Sequence, residues 1–238
     1  MKNKVMLSAN RLLNCLPPHL YNSIVEHATE THMEFGQVLN YAGQTVSAVY
    51  FPLSGFISQI AGQNHQKNLE VGMIGREGML GAPLILGVDN APFNSVVQGN
   101  GVALKISADD FVLILAQHPV LAKLLSHYVF VQLVQLTQAN LCQCFHPIAA
   151  RLAKWLLMSH DRANQADFHL THHFIADMIG VRRSAITIAA GDLQKAGIIH
   201  YSRGTIGVLD RQGLEASACE CYQADLSSYQ QYLHGQFH

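Results

Sequence analysis

The stretch Leu170–Ile199, LTHHFIADMIGVRRSAITIAAGDLQKAGII, decides the fold. It predicts two helices joined by a tight turn. Thr171 suits the N-cap of the first, where its hydroxyl accepts from a backbone N–H that has no partner inside the helix. Phe174, Ile175, Met178 and Ile179 recur at helical spacing as an apolar face. Gly180 stops that helix, because a left-handed helix end is cheapest for glycine. The second helix is expected from about Arg182 to Ala196, with Gly197 ending it. Ile186, Ala190 and Leu193 repeat at i, i+4 and i+7 and give it a buried face, and Ala176 is small where the two helices cross.

Arg182, Arg183, Ser184, Thr187 and Ile188 are then left pointing outward near the start of the second helix. A recognition helix places those early positions against base edges in the major groove. Ile198–Ile199, then HYSRG, then TIGVL predict a short hairpin, or wing, immediately after it. The alternative is an ordinary helix pair with a solvated basic face. Helix, turn, helix and wing in this order favour DNA binding.

This stretch resembles the winged helix-turn-helix of the Crp–Fnr transcription regulators, the family of the cyclic-AMP receptor protein and the fumarate–nitrate regulator. The tail DRQGLEASACECY resembles a subgroup of that family. The resemblance extends over nearly the whole chain. It implies an α+β fold: a cyclic-nucleotide-binding-type β-roll (a double-stranded β-helix), a long dimerisation helix and a C-terminal winged helix-turn-helix.

Composition bounds the other classes. The chain has 238 residues, 49% hydrophobic and 13% charged, which suits a globular protein rather than a disordered one. No run of about 18 apolar residues is free of polar interruptions, so no membrane span is expected. MKNKVMLSAN lacks the apolar stretch of a signal peptide, and a cytoplasmic protein is the expectation. Five cysteines, Cys15, Cys142, Cys144, Cys219 and Cys221, are too few and odd for a disulfide framework. Cys142/Cys144 and Cys219/Cys221 are C-x-C pairs, which would supply four thiolates to a metal only if the fold brought them together. Free thiols are the simpler reading, and neither a metal nor a cofactor is assigned.

Net charge is −1, but it is unevenly spread. Residues 146–213 carry 8 Lys/Arg against 5 Asp/Glu, and from Gly180 to Gly204 four cations face one acid, Asp192. A modest positive patch therefore coincides with the second helix and the wing.

Along the chain, residues 7–30 look helical. From about Thr31 to Ile106, short β-branched and aromatic runs broken by glycine predict a sandwich or barrel: THMEF, QVLNY, AVYFPLSGFISQIAG, LEVGMI, NSVVQ and VALKI. QNHQKN is expected at a hairpin tip. Ser107 opens a helix with Asp109–Asp110 in its first turn. A second helix from near Pro119 carries apolar residues on more than one face, as if packed on its own β domain and on a second copy of itself. His146–Pro147 breaks the chain, and IAARLAKWLLMSHDRA follows as an amphipathic helix. The expected division is 1–118 roll, 119–145 dimerisation helix and 146–238 DNA-binding domain.

Within the resemblance, MIGREGMLGAPLILG occupies the ligand cassette. Cyclic-nucleotide binders of the family carry Gly-Glu there, the glutamate on the ribose, and an arginine later on the cyclic phosphate. Here Gly81 is followed by Ala82 and Pro83, and NAPFNSVV has no arginine. From Gly78 to Leu104 the one charged side chain is Asp89. A buried phosphate without a cation or a cluster of N–H donors would be strongly penalised. Cyclic AMP bound in the usual way is therefore not expected, and the effector is unknown. The iron–sulfur members need several N-terminal cysteines, where this chain has Cys15. A cupin-like metal enzyme would need an H-x-H pair with a following glutamate. Instead His32 and His65 stand apart and His172–His173 are adjacent on a helix. No enzyme activity is expected.

The family's recognition helix carries Arg-Glu and a second Arg four residues after the Glu. Aligned on Gly180, Arg183 matches the first arginine, while Ser184 and Ile188 stand at the other two positions. Arg183 is expected on guanine, Thr187 or Ile188 at a thymine methyl, and Arg182, Arg203, Thr171 and Tyr201 at phosphates. The expected partners are double-stranded DNA with a palindromic operator, a second copy of the chain and a small-molecule effector, with RNA polymerase a further candidate and no membrane. The remaining alternative is a protein-interaction module using the winged helix.

Overall fold

The computed structural model describes residues 8–63, 67–163, 167–202 and 204–233. The elements run α1 (Arg11–Asn14), α2 (Pro18–Val25), β1 (Thr29–Met33), β2 (Val38–Asn40), β3 (Ala48–Pro52), β4 (Phe56–Gln63), β5 (Lys67–Ile74), β6 (Asn94–Gly99), β7 (Gly101–Ser107), α3 (Ala108–Gln117), α4 (Pro119–Phe145), α5 (Ile148–Ala163), β8 (Asp167–His169), α6 (His172–Ile179), α7 (Arg183–Lys195), β9 (Ile199–Ser202), β10 (Thr205–Val208), α8 (Arg211–Ser217) and α9 (Cys221–Tyr232). A 3-10 turn, Ala82–Leu86, lies between β5 and β6. The chain forms two compact units: residues up to 59 with 73–134 and those from 228 on, and residues 60–72 with 135–227.

The expected short strands build two sheets, ordered β1-β7-β3 and β2-β6-β4-β5. β7 is central in the first, antiparallel to both neighbours, with Thr29 opposite Lys105 and Ala48 opposite Ser107. β3 is buried along its whole length, which explains why AVYFP is a continuous apolar run rather than an alternating one. The segment AVYFPLSGFISQIAG does not stay one strand. It parts into β3 and β4 around Ser54–Gly55, where Gly55 has φ +71 and lies against the Gly99–Asn100 backbone, so a side chain has no room. The expected hairpin tip QNHQKN joins β4 to β5, but its residues 64–66, including His65, lie outside the described residues.

The first unit's core gathers Leu13, Leu20, Ile24, Val49, Phe51, Met79, Phe111 and Ile114. Asn10 is fully buried and fully used. Its Oδ1 accepts from Leu13 N at 3.0 Å to cap α1, while Nδ2 donates to Pro52 O at 3.0 Å and Gly78 O at 2.9 Å. Ser107 caps α3, accepting from Asp110 N at 3.1 Å. Leu121, Leu125, Tyr128 and Val131 of α4 complete the same core. The Tyr128 ring lies so close over Gly78 that no Cβ fits there, and its hydroxyl donates to Met79 O at 3.1 Å.

α4 is longer than the roll core needs. Phe130, Leu133, Leu136 and Leu141 remain exposed along it. By length and composition α4 could pass for a membrane span. Lys123, His127, Gln132 and Gln135 interrupt it, however, and its inner residues fill a protein core.

In the second unit, α5 buries Leu152, Ala153, Trp155, Leu156 and Leu157, and the Trp155 indole N–H donates to Glu70 Oε1 at 2.9 Å. The wing has one more strand than expected: β8 pairs with β10, giving the order β8-β10-β9. Asp167–His169 is too short to show an alternating pattern. Beyond the wing, Asp210 caps α8 by accepting from Gly213 N at 2.9 Å, and α9 follows.

Candidate nucleic-acid interface

α6 and α7 form the expected helix-turn-helix. Thr171 caps α6, accepting from Phe174 N at 3.1 Å. Gly180 ends it at φ +74, with Val181 N donating to Ala176 O at 2.9 Å and Gly180 N to Asp177 O at 3.2 Å. This 6→1 and 5→2 pairing is the Schellman arrangement that favours glycine. Ile175, Ala176, Met178 and Ile179 are buried, whereas Phe174 is half-buried. Across from them Ile186, Ala189, Ala190 and Leu193 form the buried face of α7.

The other face of α7 is open to solvent. Arg182, Arg183, Ser184, Thr187 and Ile188 are all exposed. Ile188 is 67% exposed. Arg182 sits at the N-cap of α7 and makes no capping bond with its side chain. The first-turn N–H groups, which carry the positive end of the helix dipole, thus receive no side-chain acceptor from the cap.

His172 was not among the expected site residues, yet it joins three elements. Its Nδ1 lies 3.0 Å from Thr187 Oγ1, and its ring stacks on Tyr201 of β9 with centroids 4.1 Å apart. The Thr187 hydroxyl, with one proton, donates it to Arg183 O at 3.1 Å. His172 therefore supplies the proton to Thr187, and its buried Nε2 has no hydrogen-bond partner among the described residues. Burial, then the nearby Arg183 charge, hold the His172 pKa below the ordinary value. The Thr187 hydroxyl proton is thus committed within the protein. Tyr201 is half-buried by the stack. Residues 15 and 29 positions apart make these contacts, so no local pattern signals them.

Arg203 lies outside the described residues, between Ser202 and Thr205, which pair across the wing. Of the other described cations in this region, Lys195 is exposed beside Asp192, but several face inward. Lys154 is buried against Asp225 at 2.6 Å. Arg211 is held by Asp161 at 2.7 Å and Glu215 at 2.8 Å, and also donates to the Tyr222 hydroxyl. Arg151 donates to Ile179 O at 2.6 Å. The positive patch thus rests on fewer side chains than the regional charge count implies.

Residues 150–217, from α5 through α8, match the model of the Crp-like helix-turn-helix domain. No curated protein sequence matches the chain. Among solved structures, it is similar to a protein of Eubacterium rectale described as a transcriptional regulator of the Crp/Fnr family (TM-score 0.68, 17% identity, covering 88% of this chain and 98% of that one). It is also similar to the c-di-GMP-responsive global regulator CLP of Xanthomonas campestris (TM-score 0.63, 14% identity, 81% and 99% covered). A third similar structure is FixK2 of Bradyrhizobium japonicum (TM-score 0.62, 14% identity, 81% and 98% covered). At such identities the likeness is one of fold. The chain has the Crp/Fnr transcription-regulator fold and carries a Crp-like helix-turn-helix domain.

Proposed function

We propose that the chain is a sequence-specific DNA-binding regulator of transcription that acts as a homodimer on a palindromic operator. The observation that carries this reading is the two-sidedness of α7: one face is packed, and Arg182, Arg183, Ser184, Thr187 and Ile188 all stand exposed on the other. Arg183 reads guanine through O6 and N7, while Ile188 and the Thr187 methyl meet thymine methyls. Arg182, Arg203, Thr171 and Tyr201 hold phosphates, which position the helix without specifying sequence. His172 is a positioning residue that locks Thr187 and Tyr201.

Exposed Phe130, Leu133, Leu136 and Leu141 on α4 support pairing with a second copy, which would double a patch too weak alone. The roll then biases the two recognition helices between arrangements. Its cassette, with Asp89 as the one charged side chain from Gly78 to Leu104, does not suit a cyclic nucleotide held in the family's usual way. RNA polymerase is the further partner such a regulator would address.

The test is selection of sequences from random duplex DNA by the full chain, followed by salt titration of the winners. The expected result is a palindrome with half-sites about 10 base pairs apart and affinity falling steeply with salt. Equal affinity for all duplexes, or none for any, would overturn the reading.

A further inference from the structure

Away from the exposed face of α7, but within the same unit, three cysteines and a histidine converge. Cys142 lies in the last turn of α4 and His146 follows four residues later, a spacing that places two side chains on one side of a helix. Cys219 and Cys221 flank Glu220 at the start of α9. The four donor atoms all lie within 4.8 Å of one another. Cys142 Sγ is 3.5 Å from Cys219 Sγ, and Cys221 Sγ is 3.3 Å from His146 Nδ1. One tetrahedral ion about 2.3 Å from each sulfur would space its donors by about 3.8 Å, the scale found here.

The surroundings fit as well as the donors do. His146 Nε2 is 3.0 Å from Glu220 Oε1, so a carboxylate orients the ring and leaves Nδ1 facing Cys221, as in carboxylate–histidine–zinc arrangements. Gln138 Nε2 donates to Cys221 Sγ at 3.0 Å, so a further polar group holds that sulfur in place. Cys142, Cys219 and Cys221 are buried, a setting that disfavours an uncompensated thiolate charge. A dication reverses that balance by binding the thiolates directly. Cys144, the remaining thiol of the two C-x-C pairs, is exposed and stands outside the cluster. The fourth donor comes instead from His146, which the sequence marks only as a break between helices.

We propose that Cys142, His146, Cys219 and Cys221 form a closed Cys3His site for one zinc-class ion, clasping the end of α4 to the start of α9. Soft thiolates with one imidazole select such an ion, and four protein ligands leave no open position, so the role is structural. The inference stands whether or not α7 binds DNA.

The test uses the full chain, purified under reductant from zinc-supplemented cells. The expected result is about one zinc per chain, and cobalt substitution giving the intense bands of tetrahedral thiolate ligation. Cys219→Ser and His146→Ala should each lose most of the metal, while Cys15→Ser and Cys144→Ser keep it. If the cluster variants fail to fold, alkylation of the native protein decides: zinc should shield Cys142, Cys219 and Cys221, a chelator should expose them, and Cys144 should react throughout. Absence of bound metal, cobalt spectra without sulfur ligation, or full metal content in Cys219→Ser would overturn the site. So would a Cys142–Cys219 disulfide in protein that takes up no zinc after reduction.

Discussion

Two groups of cations in the second unit have opposite fates. On the inner side, Lys154 and Arg162 are buried and Arg211 is tied to Asp161 and Glu215. On the outer side of α7, Arg182 and Arg183 stand exposed. The same residue types thus have two settings: inner charges are satisfied by folding, and Arg182 and Arg183 are left exposed. A charge count along the sequence adds the two populations together. Only those outside can contribute to a surface potential that draws a polyanion.

If this division is sound, inner substitutions should change stability and outer ones should change binding. The largest effect is expected for Asp225→Ala, which leaves the Lys154 ammonium buried without its carboxylate and should cost about 3–5 kcal/mol in denaturant unfolding. The paired change Lys154→Met with Asp225→Leu should cost far less, because no charge is then stranded. A small effect of Asp225→Ala alone would mean that the inner pair is effectively solvated.

Arg183→Ala comes next. It should relax preference at one base pair per half-site by about 1–3 kcal/mol while the melting temperature stays put. An unchanged profile across operator variants would remove Arg183 from base reading. Arg203→Ala should weaken all duplexes alike and make the salt dependence shallower by about one charge.

The smallest expected effect concerns pH. Folding holds His172 below its ordinary value, so the unfolded chain takes up a proton that the folded chain resists. Stability is therefore lost as pH falls from about 6.5 toward the lower folded value. Replacing His172 by Phe, which retains the stack on Tyr201, should leave a smaller acid loss than the wild type shows in thermal melts. Identical acid losses would mean that His172 titrates normally.

Much of this architecture was legible in the residues themselves. Helical spacing in α5, α6 and α7, glycine at position 180 and the run TIGVL all carry local signals, and Ser107 and Pro119 announce α3 and α4. What was not legible depends on partners distant in the chain. The Lys154–Asp225 pair is separated by 71 positions, and His172 meets Tyr201 only once the wing has folded. β8 is held by its pairing to β10, not by any pattern of its own. His146 looked like a simple interruption because its sulfur neighbours on α9 lie more than 70 residues away.

The closeness of Tyr128 to Gly78 has a practical corollary for anyone dissecting the protein. Leu121, Leu125, Tyr128 and Val131 share a core with residues near both ends of the chain, Leu12 and Leu233 among them. A fragment cut just before α4 would remove those four side chains from the core and take the Tyr128 hydroxyl from Met79 O. Isolating the first unit therefore calls for carrying the first turns of that helix and the segment up to Leu233 along with it.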